Sequence, residues 1–453
     1  MKKLMIMAAA ILLSLPFASA QDDSAAVRKA QNVKIKPYGF IRNYFNYDSR
    51  RMLTVCGGEY LMIPYDEDWN MSEADANLLN AENQRYDRNA VPEAHLLALS
   101  SRFGVSLEGG QLTLGNQQWD LAGKLEGDFA GFGTTNTVLR LRLAYMTLRT
   151  QDSRGCSHEL LVGQDWHPLS GSIMPNVLGM AAGAPFRPHS RTPQVRYTLM
   201  PSDFGFTVAA LWQYQFTSPG PKGESSSYAN QSLVPELFVG LNYRTREVYA
   251  QLGMDYTNLL IRTETSVTDA LGNELYKSLT KERCQSLSPT LYFQYTPVSG
   301  LFMLKMRSTL ARNLAHLNML SGYAYATNGT DYGYIPMQAS VSYLNVSVGS
   351  TWRANLFLGY QKNLGLADKD YTIAASDPSN YLYMKKGVAN INSIYRVAPS
   401  ISFNTKIFNI GLEYELTGVS YGQPDANDGT VPNDDNLHQV LGHRVCLLVK
   451  YNF

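Results

Sequence analysis

The residues of this chain best suited to chemistry are arginines and acids that fall on alternate positions of short apolar stretches. Arg140 and Arg142 sit within LRLRLAYMTL, and Asp120, Lys124, Glu126 and Asp128 alternate through WDLAGKLEGDF. Arg42, Arg102, Arg196 and Arg444 occupy equivalent places in four further stretches. Successive side chains of a strand point to opposite faces, so each stretch has one charged face and one greasy face. A guanidinium keeps its charge and binds carboxylates through paired hydrogen bonds, so a wall of them sorts small ions by sign and makes or breaks no bonds. Glu413 and Glu415 add acids elsewhere, and Arg187 and Arg191 stand at the end of a long segment, His167 to Pro188, built of Pro, Gly, Ala and Met. That segment is poorer in charge than an exposed loop would normally be, which makes it unusual for a loop in water. One reading is a loop packed on a neighbouring subunit or a rim. For any single charge, the alternative is mutual satisfaction of arginine and acid within the wall.

The elements that must carry these residues are strands. The last stretch, HQVLGHRVCLLVKYNF, places Leu441, Val445, Leu447, Val449, Tyr451 and Phe453 on one parity and Arg444 and Lys450 on the other. The first, from Val33, alternates likewise, with Ile35, Ile41, Phe45 and Tyr47 against Lys34, Lys36, Arg42, Asn46 and Asp48. In the fourth, Leu139, Leu141, Leu143 and Tyr145 are expected outside and Arg140 and Arg142 inside. A charge facing mid-membrane lipid costs about 2–4 kcal/mol for Lys or Arg, so the charged faces look into water and the greasy faces outward. Roughly sixteen such stretches of about ten residues follow, the length of a tilted spanning strand. They fall near 33–48, 95–108, 119–129, 138–149, 157–166, 189–199, 204–216, 234–244, 248–258, 285–296, 301–312, 338–347, 352–361, 389–403, 407–417 and 438–453. Their connections alternate between short turns and long polar loops, 48–93, 259–284 and 313–337 among them. The fold class expected is all-β, a transmembrane antiparallel β-barrel with short periplasmic turns and long extracellular loops.

The start of the chain agrees. Lys2 and Lys3, an apolar run from Leu4 to Phe17 and Ala18-Ser19-Ala20 read as a signal peptide over 1–20, followed by a short segment 21–32 and the barrel from 33 to 453. Hydrophobic residues make up 45% of the chain and charged ones only 17%, with a net charge of +1. That balance excludes the basic footprint of a nucleic-acid partner. Cys56, Cys156, Cys284 and Cys446 show no metal spacing, so no cofactor and no metal site is expected. A bridge between Cys56 and Cys284, both assigned to outer loops, is open.

LEGDFAG (Leu125–Gly131), LRLRLAYMTL (Leu139–Leu148), LLVGQDWHPL (Leu160–Leu169) and RTPQVRYTL (Arg191–Leu199) together resemble the DcaP-like family of trimeric outer-membrane porins. The resemblance implies a passive diffusion channel in the outer membrane and a homotrimer, and the position of His167 to Pro188, which resembles that of the third loop of sixteen-stranded porins, implies that this loop folds inward and narrows the channel. The terminal Phe453 resembles the signal read by the barrel-assembly machinery. With the arginine-rich wall, the solutes expected are small, hydrophilic and anionic. A non-channel barrel for adhesion or assembly through the 48–93 loop is the alternative. A hydrolase is disfavoured, because His158, His167 and His189 near Asp165 and Ser190 lack a nucleophile-elbow or zinc motif. Two polar residues interrupt the outward faces, Asn43 on the first strand and His443 on the last. Paired with Ile41 near Val445, they would meet as an oligomer contact.

Overall fold

The computed structural model describes residues 33–131, 138–170, 173–269, 271, 273–374, 381–382 and 389–453. The expected signal peptide, the segment 21–32 and most of the 130–137 connection lie outside the described residues. Sixteen antiparallel strands close into one barrel. They are β1 (Lys34–Asp48), β2 (Arg102–Leu114), β3 (Gln117–Gly131), β4 (Val138–Gln151), β5 (Ser157–Trp166), β6 (Arg191–Met200), β7 (Phe204–Leu211) and β8 (Glu236–Arg244). Then follow β9 (Val248–Thr268), β10 (Glu274–Tyr295), β11 (Phe302–Arg312), β12 (Tyr332–Gly349), β13 (Trp352–Leu366), β14 (Ile391–Asn404), β15 (Phe408–Tyr421) and β16 (His438–Asn452). Each pairs with its neighbours in chain order, and β1 pairs with β16 to complete the ring. Closure leaves no strand edge unsatisfied, which is what lets a sheet stand in lipid.

Alternation drives the assembly. On β1, Ile41, Phe45 and Tyr47 are exposed on the outer face, while Tyr44, Asn46 and Asp48 are buried inside. The chain end locks the seam: Phe453 and Gly39 exchange both backbone hydrogen bonds (3.0 and 3.1 Å). A Cβ on Gly39 would lie 2.6 Å from the Phe453 ring, so glycine is required where the terminal aromatic crosses the neighbouring strand.

Four expectations change. A bulge in the β3–β4 pairing, between Glu126 and Gly127, reverses the parity of β4. Tyr145, paired with Lys124, and the buried Leu143 therefore share the inner face that holds the arginines, while Leu139 and Leu141 stay outside. Gln164 covers the bulge by donating to the Leu141 and Arg142 carbonyls (3.1 and 3.0 Å). Second, 259–284 is no loose loop: β9 and β10 run on for 21 and 22 residues as one hairpin, well beyond the about 9–11 needed to cross.

Third, Asn43 pairs with Val449, and His443 lies level with Ser49, so the two are about 20 Å apart along the seam. Ring closure needs this stagger, which the outward faces alone do not encode. His443 bonds the Tyr414 hydroxyl instead (2.6 Å). Fourth, all four cysteines are free: Cys284 lies in β10 against Asn313, Cys56 beside Arg140.

Candidate functional site

The segment that leaves β5 at His167 crosses the interior before it returns to β6. Its backbone polar groups, withdrawn from water, need partners, and the far wall supplies them. Lys305 of β11 donates to the Met174 carbonyl (2.6 Å) and Tyr343 of β12 to that of Ile173 (2.8 Å). Asn345 accepts from the Asn176 amide (2.7 Å), and Arg396 of β14 donates to the Ala184 carbonyl (3.0 Å). At the tip, the Glu413 carboxylate of β15 accepts the amides of Leu178 and Gly179 (2.8 and 2.7 Å). A Cβ on Gly179 would stand 2.9 Å from Glu415 Oε1, so a larger residue here would push the two acids aside.

Apolar contacts seal the same side. Phe186 lies on Phe357 of β13 (centroids 6.0 Å), and Ile173, Ala181 and Ala184 share one buried cluster with Tyr343, Ile394, Ala398 and Val419. A second inserted piece, the strand Tyr60–Pro64, is buried throughout. It takes hydrogen bonds from Arg396 at the Met62 carbonyl and from Tyr421 at the Pro64 carbonyl, both 2.6 Å. A third, residues 313–322 with a 3-10 turn at Ala315–Leu317, is buried as well. The expectation of polar outer loops at 48–93 and 313–337 is corrected there. YLMIP and LAHLNML, apolar runs inside otherwise polar connections, were the available signal.

The neighbouring wall, β16 with β1 to β3, is different. The lumen side of β1 presents Tyr38, Phe40 and Arg42, while Tyr44 is buried under the loop tip and donates to the Leu178 carbonyl (2.7 Å), and Arg42 stands directly across from Lys450 of β16. Phe40 receives three cations over its ring, Arg42 at 5.0 Å, Arg102 at 4.9 Å and Lys450 at 4.5 Å, and Lys124 lies over Tyr38 (4.8 Å). Among the described residues no carboxylate lies within salt-bridge distance of Arg42, Lys124 or Lys450. Arg42 is aimed by a break in its neighbour at 98–101, where Ser100 Oγ accepts from Nε (3.0 Å) and Ser101 Oγ accepts the Arg42 amide (3.0 Å). Arg102, a fifth exposed, reaches Glu126 at 3.4 Å.

The other arginines singled out in the sequence are engaged. Asp128 takes Arg140 (2.8 Å) and Arg142 (2.6 Å), and Glu126 takes Arg142 (2.8 Å). Arg444 forms a bidentate pair with Asp48 (both 2.7 Å), and Arg196 pairs with Asp165 (2.9 Å). Arg191 stacks on Trp166 (4.7 Å), and Arg187 turns back into its own loop, bonding the Pro188 carbonyl and His189 Nδ1. Burial, with Arg187 and Arg191 alongside, holds the His189 imidazole well below its ordinary pKa, so it is neutral and its Nδ1 accepts. Asp120 is exposed at the turn end beside Gln111. The histidines weighed for hydrolysis are dispersed: His158 bonds Tyr197 and His167 bonds Glu236.

No family model matches the sequence, and no curated protein matches it. Among solved structures, the outer membrane channel DcaP of Acinetobacter baumannii shares the fold with a TM-score of 0.58 at 16% identity, over 93% of this chain and 98% of that one. OmpT of Vibrio cholerae, an outer membrane protein in trimer form, gives 0.49 at 9% identity, over 93% and 99%. An anion-selective porin from Comamonas acidovorans gives 0.48 at 10%, over 93% and 100%.

Proposed function

We propose that this barrel is an outer-membrane porin, a passive channel for small hydrophilic anions, with its path between the inserted loop and the wall of β16 and β1 to β3. The observation that carries the reading is the like-charged pair Arg42 and Lys450, directly opposite across the seam and, among the described residues, with no carboxylate within salt-bridge distance, the buried Glu59 standing beyond that range of Arg42. Like charges in that relation destabilise a sheet. Arg102 and Lys124 extend the positive wall toward the turn end, and the aromatic faces of Phe40 and Tyr38 hold the cations in place. Arg140 and Arg142 contribute less, since Asp128 and Glu126 neutralise them. A carboxylate or phosphate passing this wall meets fixed donors at each step, close enough to attract and too shallow to trap.

Reversal potential in a planar bilayer under asymmetric potassium chloride tests the reading. Selectivity for chloride supports it; cation preference rejects the anionic assignment, and absence of conductance rejects the channel and favours a role in adhesion or assembly. The homotrimer implied by the family resemblance belongs to the same proposal, with Asn43, half-buried on the outer face, as a contact. Crosslinking between subunits by Asn43→Cys in a cysteine-free background supports that contact, and free labelling from lipid removes it. Export through the signal peptide and insertion by the assembly machinery acting on the strand that ends at Phe453 complete the proposal.

A further inference from the structure

Where the inserted loop leaves β5, a second cluster of side chains meets inside the wall, away from the cation ladder. His167 opens the loop, His316 comes from the 3-10 turn after β11, and Glu236 and Asp255 face inward from the adjacent strands β8 and β9. None of the four is more than 5% exposed. His167 Nε2 is 2.9 Å from Glu236 Oε1 and 3.7 Å from Asp255 Oδ1, and one ligand atom from each of these three residues lies within 4.8 Å of the others. His316 Nε2 approaches the two Glu236 oxygens at 3.0 and 3.1 Å.

The cluster is short of positive charge. Among the described residues the two carboxylates meet no Arg or Lys within salt-bridge distance, only the imidazoles. Both Asp255 oxygens are buried without a hydrogen-bond donor. Glu236 is met by the two imidazoles, but a second acid beside it with neither oxygen partnered in a water-excluded wall is strongly unfavourable, and a cation between the two removes the cost. Imidazole nitrogen with carboxylate oxygen is a donor set that zinc takes. Ligands about 2.0–2.1 Å from a tetrahedral ion lie about 3.3 Å from one another, close to the spacing of these atoms.

We infer that His167, Glu236 and Asp255, with His316 beside them, hold a divalent transition-metal ion of the zinc type that clips two inserted segments to the barrel wall. The Leu169 amide points at His167 Nδ1 (3.1 Å), which keeps that ring's proton on Nε2 and directs it to Glu236. The ion takes the place of this proton, and Nδ1, then protonated, gives up the Leu169 contact. Because the site is closed, the ion enters as the barrel folds.

The test folds the full chain from denaturant into detergent with zinc, removes excess ion by dialysis against chelator, and counts metal by elemental analysis. Wild type is expected to retain about one zinc per chain, Asp255→Asn close to none, and the surface control His438→Ala the wild-type amount. Loss of all zinc from folded wild type, or equal retention by Asp255→Asn, overturns the site and leaves the cluster held together by protons. If Asp255→Asn does not fold, X-ray absorption at the zinc edge of wild type decides. A shell of imidazole nitrogen and carboxylate oxygen at about 2.0–2.1 Å supports the inference, and a sulfur or all-oxygen shell overturns it.

Discussion

The two sides of the barrel interior solve opposite problems with the same strand geometry. From β11 to β15 the inward positions include Tyr343, Phe357, Ile394, Arg396 and Glu413, and each of these five helps to hold the inserted loop. On the adjoining arc of β16, β1 and β3, the cations Arg42, Lys450 and Lys124 lie on aromatic rings, with no acid in salt-bridge range among the described residues. On the first side the loop's main chain meets polar side chains and apolar surfaces interdigitate, so these contacts contribute stability. On the second, charge is left unneutralised, which costs stability and leaves a field available to a solute. Changes on the sealed side are therefore expected to alter folding and pore size, and changes on the open side to alter ion choice with little effect on folding.

The largest effect belongs to the sealed side. Phe357→Ala removes a fully buried ring that packs on Phe186 and Tyr343, and should destabilise the folded barrel by about 3–5 kcal/mol, read as a lowered urea midpoint. An unchanged midpoint would mean that the loop does not rest on that wall. Next in size, Arg42→Glu with Lys450→Glu should reverse the sign of the reversal potential in a salt gradient, with an unfolding midpoint close to wild type. If anion preference survives, the open wall does not set selectivity.

Glu413→Gln tests the hinge between the two sides. The amide oxygen can keep only one of the Leu178 and Gly179 hydrogen bonds, because each is accepted by a different carboxylate oxygen, and the other N–H then faces an NH2 donor; a loss of about 1–3 kcal/mol is expected together with noisier single-channel current. The smallest effect should come from Asp128→Asn with Arg140→Gln, which removes a matched pair and leaves net charge unchanged. Reversal potential should stay at the wild-type value, and a clear shift would show that Arg140 acts on the solute despite its partner.

Much of this was legible before any coordinates. Strand number and nearly all strand positions follow from a period of two that is repeated down the chain, because a strand with one face in lipid cannot tolerate charge there. The inward assignment of Arg42, Arg102, Arg140 and Arg142 came from the same parity, and that of 167–188 from a position resembling the third loop of sixteen-stranded porins, with its lack of charge in agreement. Parity failed where one residue was added: the bulge opposite Glu126 moves Tyr145 to the inner face, and a bulge leaves no mark on the pattern except the wrong answer after it. Register failed at the seam, since sliding β16 along β1 by an even number of residues keeps every greasy side chain outside.

By itself, then, the order of residues determined that this chain is a barrel, which faces of its strands carry charge, and that one loop is ill suited to water. Those properties depend on neighbours in sequence, through the alternation of side chains and the cost of exposing them to the wrong solvent. Only the closed structure decided which charges stay free. Asp128 is a partner for Arg140 and Arg142, and Asp48 for Arg444, because strand stagger sets them opposite one another, while the same stagger leaves Arg42 facing Lys450. The meeting of His167, Glu236, Asp255 and His316 is of the same kind, since nothing local in the chain records that two inserted segments converge on two strands of the wall.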